Sequence, residues 1–178
     1  MTLAKGAIVE LHVEKLAFEG VGIAKTIVDD REFVVFVENT APGDRVKAEI
    51  VKKKKNYALA RVREFSLPSS LRIAPRCKHF FECGGCTWQF LNYEEQVKFK
   101  ANFVSEALTH LGGLQNIPVA EIIPAPSPWF YRNKMEYSFG EKDGALTLGF
   151  HSPKSFLRIF DLEECYLQSQ VSVRIARF

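Results

Sequence analysis

Apolar and polar residues alternate along residues 9–14 (Val-Glu-Leu-His-Val-Glu), and with Ala7-Ile8 before them they predict a half-buried strand over 7–14. Residues 18–24 place Gly20 and Gly22 at alternate positions, which predicts a strand with a bend or a close backbone approach. The run Phe33-Val34-Val35-Phe36-Val37 is β-branched and aromatic throughout, the signature of a buried strand. Ala41-Pro42-Gly43-Asp44 is a turn, with proline at its first central position and glycine at its second. Alternation resumes over 46–51 and again over 57–62. Five short strands with regular turn punctuation fit a small closed barrel better than an open sheet.

The period changes further along. Asn92 and Glu95 make a near capping box, and Val97, Ala101, Val104, Leu108 and Leu111 recur at helical spacing before Gly112-Gly113. This predicts a helix of about five turns with one apolar face. A proline-stiffened crossing over 122–129 follows, then alternation over 131–140, a turn over 142–145, and strands over 146–151 and 156–160. Ser66-Leu67-Pro68-Ser69-Ser70 has linker composition. The chain is therefore read as β plus α/β: an OB-like barrel over 1–66, then an α+β domain over 67–178 with antiparallel strands and one long helix.

Composition adds one asymmetry. Residues 1–76 carry 14 Lys and Arg against 10 Asp and Glu, whereas residues 77–178 carry 10 against 11. The first domain is the one suited to a polyanion. Lys52, Lys53, Lys54 and Lys55 lie between two strands, with Tyr57 and Arg61 just beyond. This cluster reads as a solvated turn or as a phosphate-binding face with a stackable ring. No stretch approaches the ~18 apolar residues of a membrane span, and residues 1–6 lack a signal-peptide core. The expected setting is the cytoplasm, where structural disulfides are rare.

The chemistry concentrates in Cys77-x5-Cys83-Gly84-Gly85-Cys86, with Cys165 remote. Three expected strands would return Cys165 to the other three. Four soft thiolates suit zinc or an iron–sulfur cluster. Structural zinc favours two short Cys-x2–4-Cys pairs, and only one is present, so the spacing leans to iron–sulfur without excluding zinc. Gly84-Gly85 would let backbone N–H groups reach sulfur, and Phe80, Phe81 and Trp88 would shield the centre. His79 reads as a neighbour or surface residue, and Gln89 and Tyr93 as structural.

Two sets of motifs carry a resemblance. Lys5-Gly6, residues 18–25, Val35-Phe36-Val37 and residues 41–44 resemble a TRAM domain, an OB-like RNA-binding barrel. The cysteine motif with Thr87-Trp88-Gln89, Tyr93…Gln96…Lys100, Tyr131-Arg132-Asn133-Lys134, Leu148-Gly149-Phe150-His151 and Cys165 resembles the RNA uracil-C5 methyltransferase family, closest to its 23S rRNA branch. The resemblance implies a [4Fe–4S] cluster held by Cys77, Cys83, Cys86 and Cys165. It also implies a parent enzyme that uses S-adenosylmethionine in rRNA processing. Arg132, Asn133 and Lys134 are expected RNA contacts alongside Lys52, Lys53, Lys54, Lys55, Tyr57 and Arg61.

Part of that family's pattern is missing here. Its chemistry needs a cysteine nucleophile, a glutamate base and a cofactor-binding domain. All four cysteines are taken by the cluster, and neither glycine pair forms a strand–Gly-x-Gly–helix loop. The expectation is a monomeric N-terminal portion that binds RNA, ribosomal rather than transfer, and is inactive alone. The alternatives are a self-standing RNA-binding or electron-transfer iron–sulfur protein, or a zinc-binding RNA module.

Overall fold

The computed structural model describes residues 3–142, 144–153, 155 and 157–178. The chain divides into two compact units. One holds residues 1–73 and 94–121, the other residues 74–93 and 122–178.

The first unit is built on five strands: β1 (Ile8–Leu16), β2 (Gly22–Val28), β3 (Arg31–Glu38), β4 (Arg45–Lys53) and β5 (Tyr57–Leu67). They close in the order β1-β2-β3-β5-β4, with β4 returning to β1, so no strand edge is left open. Only the β3–β5 pair is parallel. The alternation in the sequence is the alternation of the barrel wall: Val9, Leu11, Val35, Val37, Val46 and Ile50 are buried inside it, while Glu10 and His12 face out.

Gly22 is required where β2 passes the β3–β4 connection, because a Cβ there would sit 2.0 Å from Thr40 Oγ1. The turn at 41–44 forms as expected, with Gly43 at φ +92° and Asp44 N donating to Ala41 O at 3.0 Å. Asp44 is fully buried. Its carboxylate accepts from Ala41 N, Ser69 N and Arg72 Nη1, each at 2.7 Å. Residues 66–70, linker-like in composition, are thus stitched to the barrel, and Ser69 Oγ also donates to Pro42 O at 2.6 Å.

Two local expectations change. The strand predicted from Phe18 begins at Gly22, because residues 17–21 form a tight turn closed by Ala17 N to Val21 O at 2.8 Å, leaving Phe18 83% exposed. The long helix forms as α1 (Tyr93–Glu106), continues through a wider turn over Ala107–Leu111, and ends with Gly113 at φ +65°. Its apolar face is not a core, since Val104 and Leu111 are 47% and 88% exposed. Phe103 instead meets the Phe18 ring edge-on at 5.8 Å.

In the second unit β6 (Ser138–Lys142), β7 (Ala145–His151) and β8 (Ile159–Asp161) form an antiparallel sheet in that order. Asp143 of the predicted turn and Phe156 of the predicted strand lie outside the described residues. The expected strand over 131–140 forms only from Ser138. Upstream, Phe130 takes φ +58°, and the N–H groups of Phe130 and Arg132 go to Tyr166 O and Leu167 O, both at 2.8 Å. Gly149 is essential to the sheet, because a Cβ would sit 1.9 Å from Phe160 O. A final helix, α2 (Gln170–Ala176), is capped by Ser169 Oγ accepting from Ser172 N at 3.1 Å. No helix among the described residues is long and apolar enough to cross a membrane.

Candidate metal centre and basic surfaces

The cysteine loop is wound by its own backbone. Phe80 N donates to Cys77 O at 3.1 Å, and both Glu82 N and Cys83 N donate to His79 O, at 2.9 and 2.8 Å. Phe80 is buried and packs edge-on against Phe81 and Phe90, while Phe81 itself is 62% exposed and shields little. His79 is not a surface residue. It is buried against the Phe160 ring, and its Nε2 accepts from Glu163 N at 3.1 Å. Lys78 N donates to Glu164 Oε1 at 2.8 Å, and Lys78 Nζ pairs with Glu163. Four contacts therefore fasten the loop to the segment that runs from β8 into Cys165.

The consequence is that Cys77, Cys83, Cys86 and Cys165 line one cavity of about 440 Å³, together with Gly84, Gly85 and Gln89. All four are free thiols. Two sulfurs accept N–H donors, Cys83 from Gly85 N at 3.3 Å and Cys86 from Gln89 Nε2 at 3.2 Å, while the His79 backbone favours the thiolate of Cys77. Gln89 also accepts from Cys77 N at 3.0 Å, so one buried amide bridges the first and third cysteines of the motif.

Burial pushes the Cys77 thiol up to about 11 and raises Cys83 and Cys86 as well, with the nearby Cys165 adding repulsion to each. Without a cation these thiols hold their protons, and a bound metal would draw them off. The donor set is soft and sulfur-rich. Among the described residues, no three His, Cys, Asp or Glu side chains already converge as a metal-binding group.

The basic residues fall in two places. Lys52 and Lys53 end β4, Lys54 and Lys55 occupy the turn, and Tyr57 opens β5, all exposed. Lys53 Nζ lies 5.8 Å from the Phe33 ring centroid, and the Tyr57 ring meets Phe36 edge-on at 5.5 Å. Among the described residues, the ion pairs of this unit engage Lys15, Lys25, Lys47, Arg63, Arg72 and Lys98, and none draws on residues 52–55 or Arg61. In the second unit, Arg132 and Asn133 line an open groove of about 470 Å³ with Tyr137, Phe139, Gln168 and Ile175. Arg132 also borders the cysteine cavity. Lys134 lines the cysteine cavity as well, in an exposed pair with Glu136 at 2.7 Å.

Gln89, expected to be structural, is used by the site. Tyr93 is structural as expected: its OH accepts from Ala125 N at 2.9 Å and so holds the proline-rich crossing. Arg76 was not singled out at all, yet its guanidinium lies 4.5 Å from the Tyr166 ring centroid, one residue after Cys165. Its only sequence signal is its place beside Cys77.

Comparison with known proteins adds to this geometry. Residues 3–62 match the TRAM domain model, a span that covers the closed barrel except for the end of β5. An uncharacterized RNA methyltransferase of Listeria monocytogenes is 38% identical over 94% of the chain, which covers 36% of that relative. Another from Halalkalibacterium halodurans is 35% identical over 97% of the chain and 37% of the relative. Among solved structures, the Pyrococcus abyssi tRNA (uracil-54, C5)-methyltransferase, in complex with S-adenosyl-L-homocysteine, superposes with a TM-score of 0.63 at 25% identity. That match covers 94% of this chain and 35% of the other. The chain thus spans a little over a third of the length of these proteins.

Proposed function

The chain belongs to the RNA uracil-C5 methyltransferase family, and on that footing we propose that it is an RNA-binding, iron–sulfur-bearing portion of such an enzyme. The observation that carries the reading is that Cys77, Cys83, Cys86 and Cys165 line one cavity, in a chain that also holds an RNA-binding type of barrel. A single zinc ion draws four sulfurs to ~2.3 Å from one point. A [4Fe–4S] cluster gives each sulfur its own iron, and a cavity of about 440 Å³ leaves room for it.

When bound, the cluster supplies a covalent cross-link between the cysteine loop and Cys165. The chain's own residues do the rest. The Gly85 and His79 amides and Gln89 Nε2 stabilise thiolate charge on Cys83, Cys77 and Cys86. Phe80 and Phe90 keep water from one side of the loop. Methyl transfer from S-adenosylmethionine belongs to the longer parent in this proposal, because every cysteine of the chain is engaged at the one cavity and none stands apart as a nucleophile.

Residues 52–55, Tyr57 and Arg61 on the barrel, and Arg132 and Asn133 in the second unit, are the proposed RNA contacts. Ribosomal RNA is the reading that the cysteine-motif resemblance favours, whereas the solved relative is named for tRNA. Binding of rRNA and tRNA fragments, measured side by side across a salt series, tests this. The expected result is affinity that falls steeply with salt, with rRNA preferred. Absence of RNA binding at low salt would overturn the function, and a preference for tRNA would overturn only the choice of RNA.

A further inference from the structure

Cys77 and Cys165 reach the cavity from distant parts of the chain, and the contacts on either side of them follow one pattern. His79 Nε2 accepts from Glu163 N at 3.1 Å, and Lys78 N donates to Glu164 Oε1 at 2.8 Å. The Arg76 guanidinium lies 4.5 Å from the centroid of the Tyr166 ring. As one segment advances from 76 to 79, its partners step back from 166 to 163, the running order of an antiparallel pair. Cys77 and Cys165 fall at matching positions between these contacts.

One more bond closes the bracket. Tyr166 OH donates to Glu164 Oε2 at 3.2 Å, while the other oxygen of Glu164 holds Lys78 N. Arg76, Tyr166, Glu164 and Lys78 thus form a circuit of contacts with Cys77 on one side of it and Cys165 on the other.

A box of rings holds Arg76 in turn. Its guanidinium also lies 5.4 Å from the Trp129 ring centroid and 5.6 Å from that of Phe130, and both rings pack on Tyr166, at 6.1 and 5.9 Å. Phe130 stands at φ +58°, a left-handed conformation that is costly for a bulky residue and persists only where the surroundings enforce it. Phe130 N donates to Tyr166 O at 2.8 Å, so the strained residue is fixed to the segment that carries Cys165. A cation over one ring is ordinary packing. Here the cation meets several rings, next to Cys77 and against the residue that follows Cys165.

Resting on the iron–sulfur reading above, we infer that Arg76 is a positioning residue for the metal centre. It joins the segment entering Cys77 to the segment leaving Cys165, and so fixes the separation of the first and last thiols of the set. The His79 and Lys78 contacts set the bracket on one side of the cysteine pair, and Arg76 closes the other. Without it, Cys165 is tied to the loop only through the residues before it.

The test uses the whole chain, purified without oxygen with the metal it retains. It reads the rate at which that metal passes to 4-(2-pyridylazo)resorcinol, which reports iron and zinc alike. Arg76→Gln should speed release about two-fold to thirty-fold, the range for loss of a cation–ring contact. Tyr166→Leu should speed it at least as much, and the double variant should be no faster than Tyr166→Leu alone. Arg76→Lys, which can still set a cation over the ring, should release more slowly than Arg76→Gln. Ser169→Ala removes the α2 cap in the same unit, controls for lost stability, and should release at the wild-type rate. Equal rates in Arg76→Gln and wild type overturn the positioning role, as does equal acceleration by Ser169→Ala and Arg76→Gln. Zinc in the wild-type protein overturns the iron–sulfur reading, and the same rates still decide the role of Arg76. Wild-type protein that retains no metal overturns both.

Discussion

Replacing Gln89 by leucine removes a side chain that joins two of the cysteines, and the cost can be worked from its contacts. The residue is 8% exposed, accepts from Cys77 N at 3.0 Å and donates to Cys86 Sγ at 3.2 Å. Leucine keeps most of the volume but leaves the partly buried Cys77 N–H and the Cys86 sulfur without those partners. Each lost bond is worth about 1 kcal/mol, and an orphaned buried group costs about 1–3 kcal/mol, so Gln89→Leu should destabilise the second unit by about 2–4 kcal/mol. Gln89→Glu separates the two bonds. Its carboxylate can still accept from Cys77 N but cannot donate to Cys86, and it sets a negative charge against the thiolate.

Urea unfolding followed by the fluorescence of Trp88 and Trp129 reads the first effect, and bleaching of the loaded protein in air reads the second. Gln89→Leu should lower stability and Gln89→Glu should bleach fastest. If Gln89→Leu unfolds within ~0.5 kcal/mol of wild type, as an ordinary surface change would, and neither variant bleaches faster, then Gln89 is not a support of the centre.

Three further outcomes are expected. Gly149→Ala should lose metal although no ligand is changed, because a Cβ 1.9 Å from Phe160 O forces β8, and with it Cys165, away from the loop; metal analysis of the purified variant checks this. Asp44→Ala removes a buried carboxylate that accepts three hydrogen bonds, including one from Arg72. It should destabilise the first unit by about 3–5 kcal/mol, as loss of one partner of a buried pair does, with a matching fall in Tm by calorimetry. Reversing Lys52 and Lys54 together to glutamate should weaken RNA binding and lower the slope of log affinity against log salt by about 1 or more, at ~0.7 per phosphate contact for a single strand.

Most of the barrel was legible in the sequence because a closed sheet imposes one strict rule, inward and outward in turn, and punctuates it with turns such as Pro42-Gly43. The exception near Phe18 arose because glycines at alternate positions serve a tight turn as readily as a strand. The second unit was harder to read. Residues 131–137 alternate like a strand, but the N–H groups of Phe130 and Arg132 go to Tyr166 and Leu167, a non-local choice that no local pattern encodes. The helical face of α1 was periodic yet stays largely exposed, since periodicity reports a face able to bury and says nothing of what covers it.

The cysteines were legible as a set through their spacing and the three strands before Cys165, whose boundaries all shifted without changing the result. The role of Gln89 was not, because its place in the motif does not say that the loop's winding turns its amide back toward Cys77.

The central claim is that the four thiols hold one iron–sulfur cluster. Iron and acid-labile sulfide measured per chain, on protein purified without oxygen, test it most directly. The account predicts about four of each, brown colour, and loss of both when Cys165 is replaced by serine. One zinc per chain with no sulfide would contradict it, as would iron content unchanged in the Cys165→Ser protein.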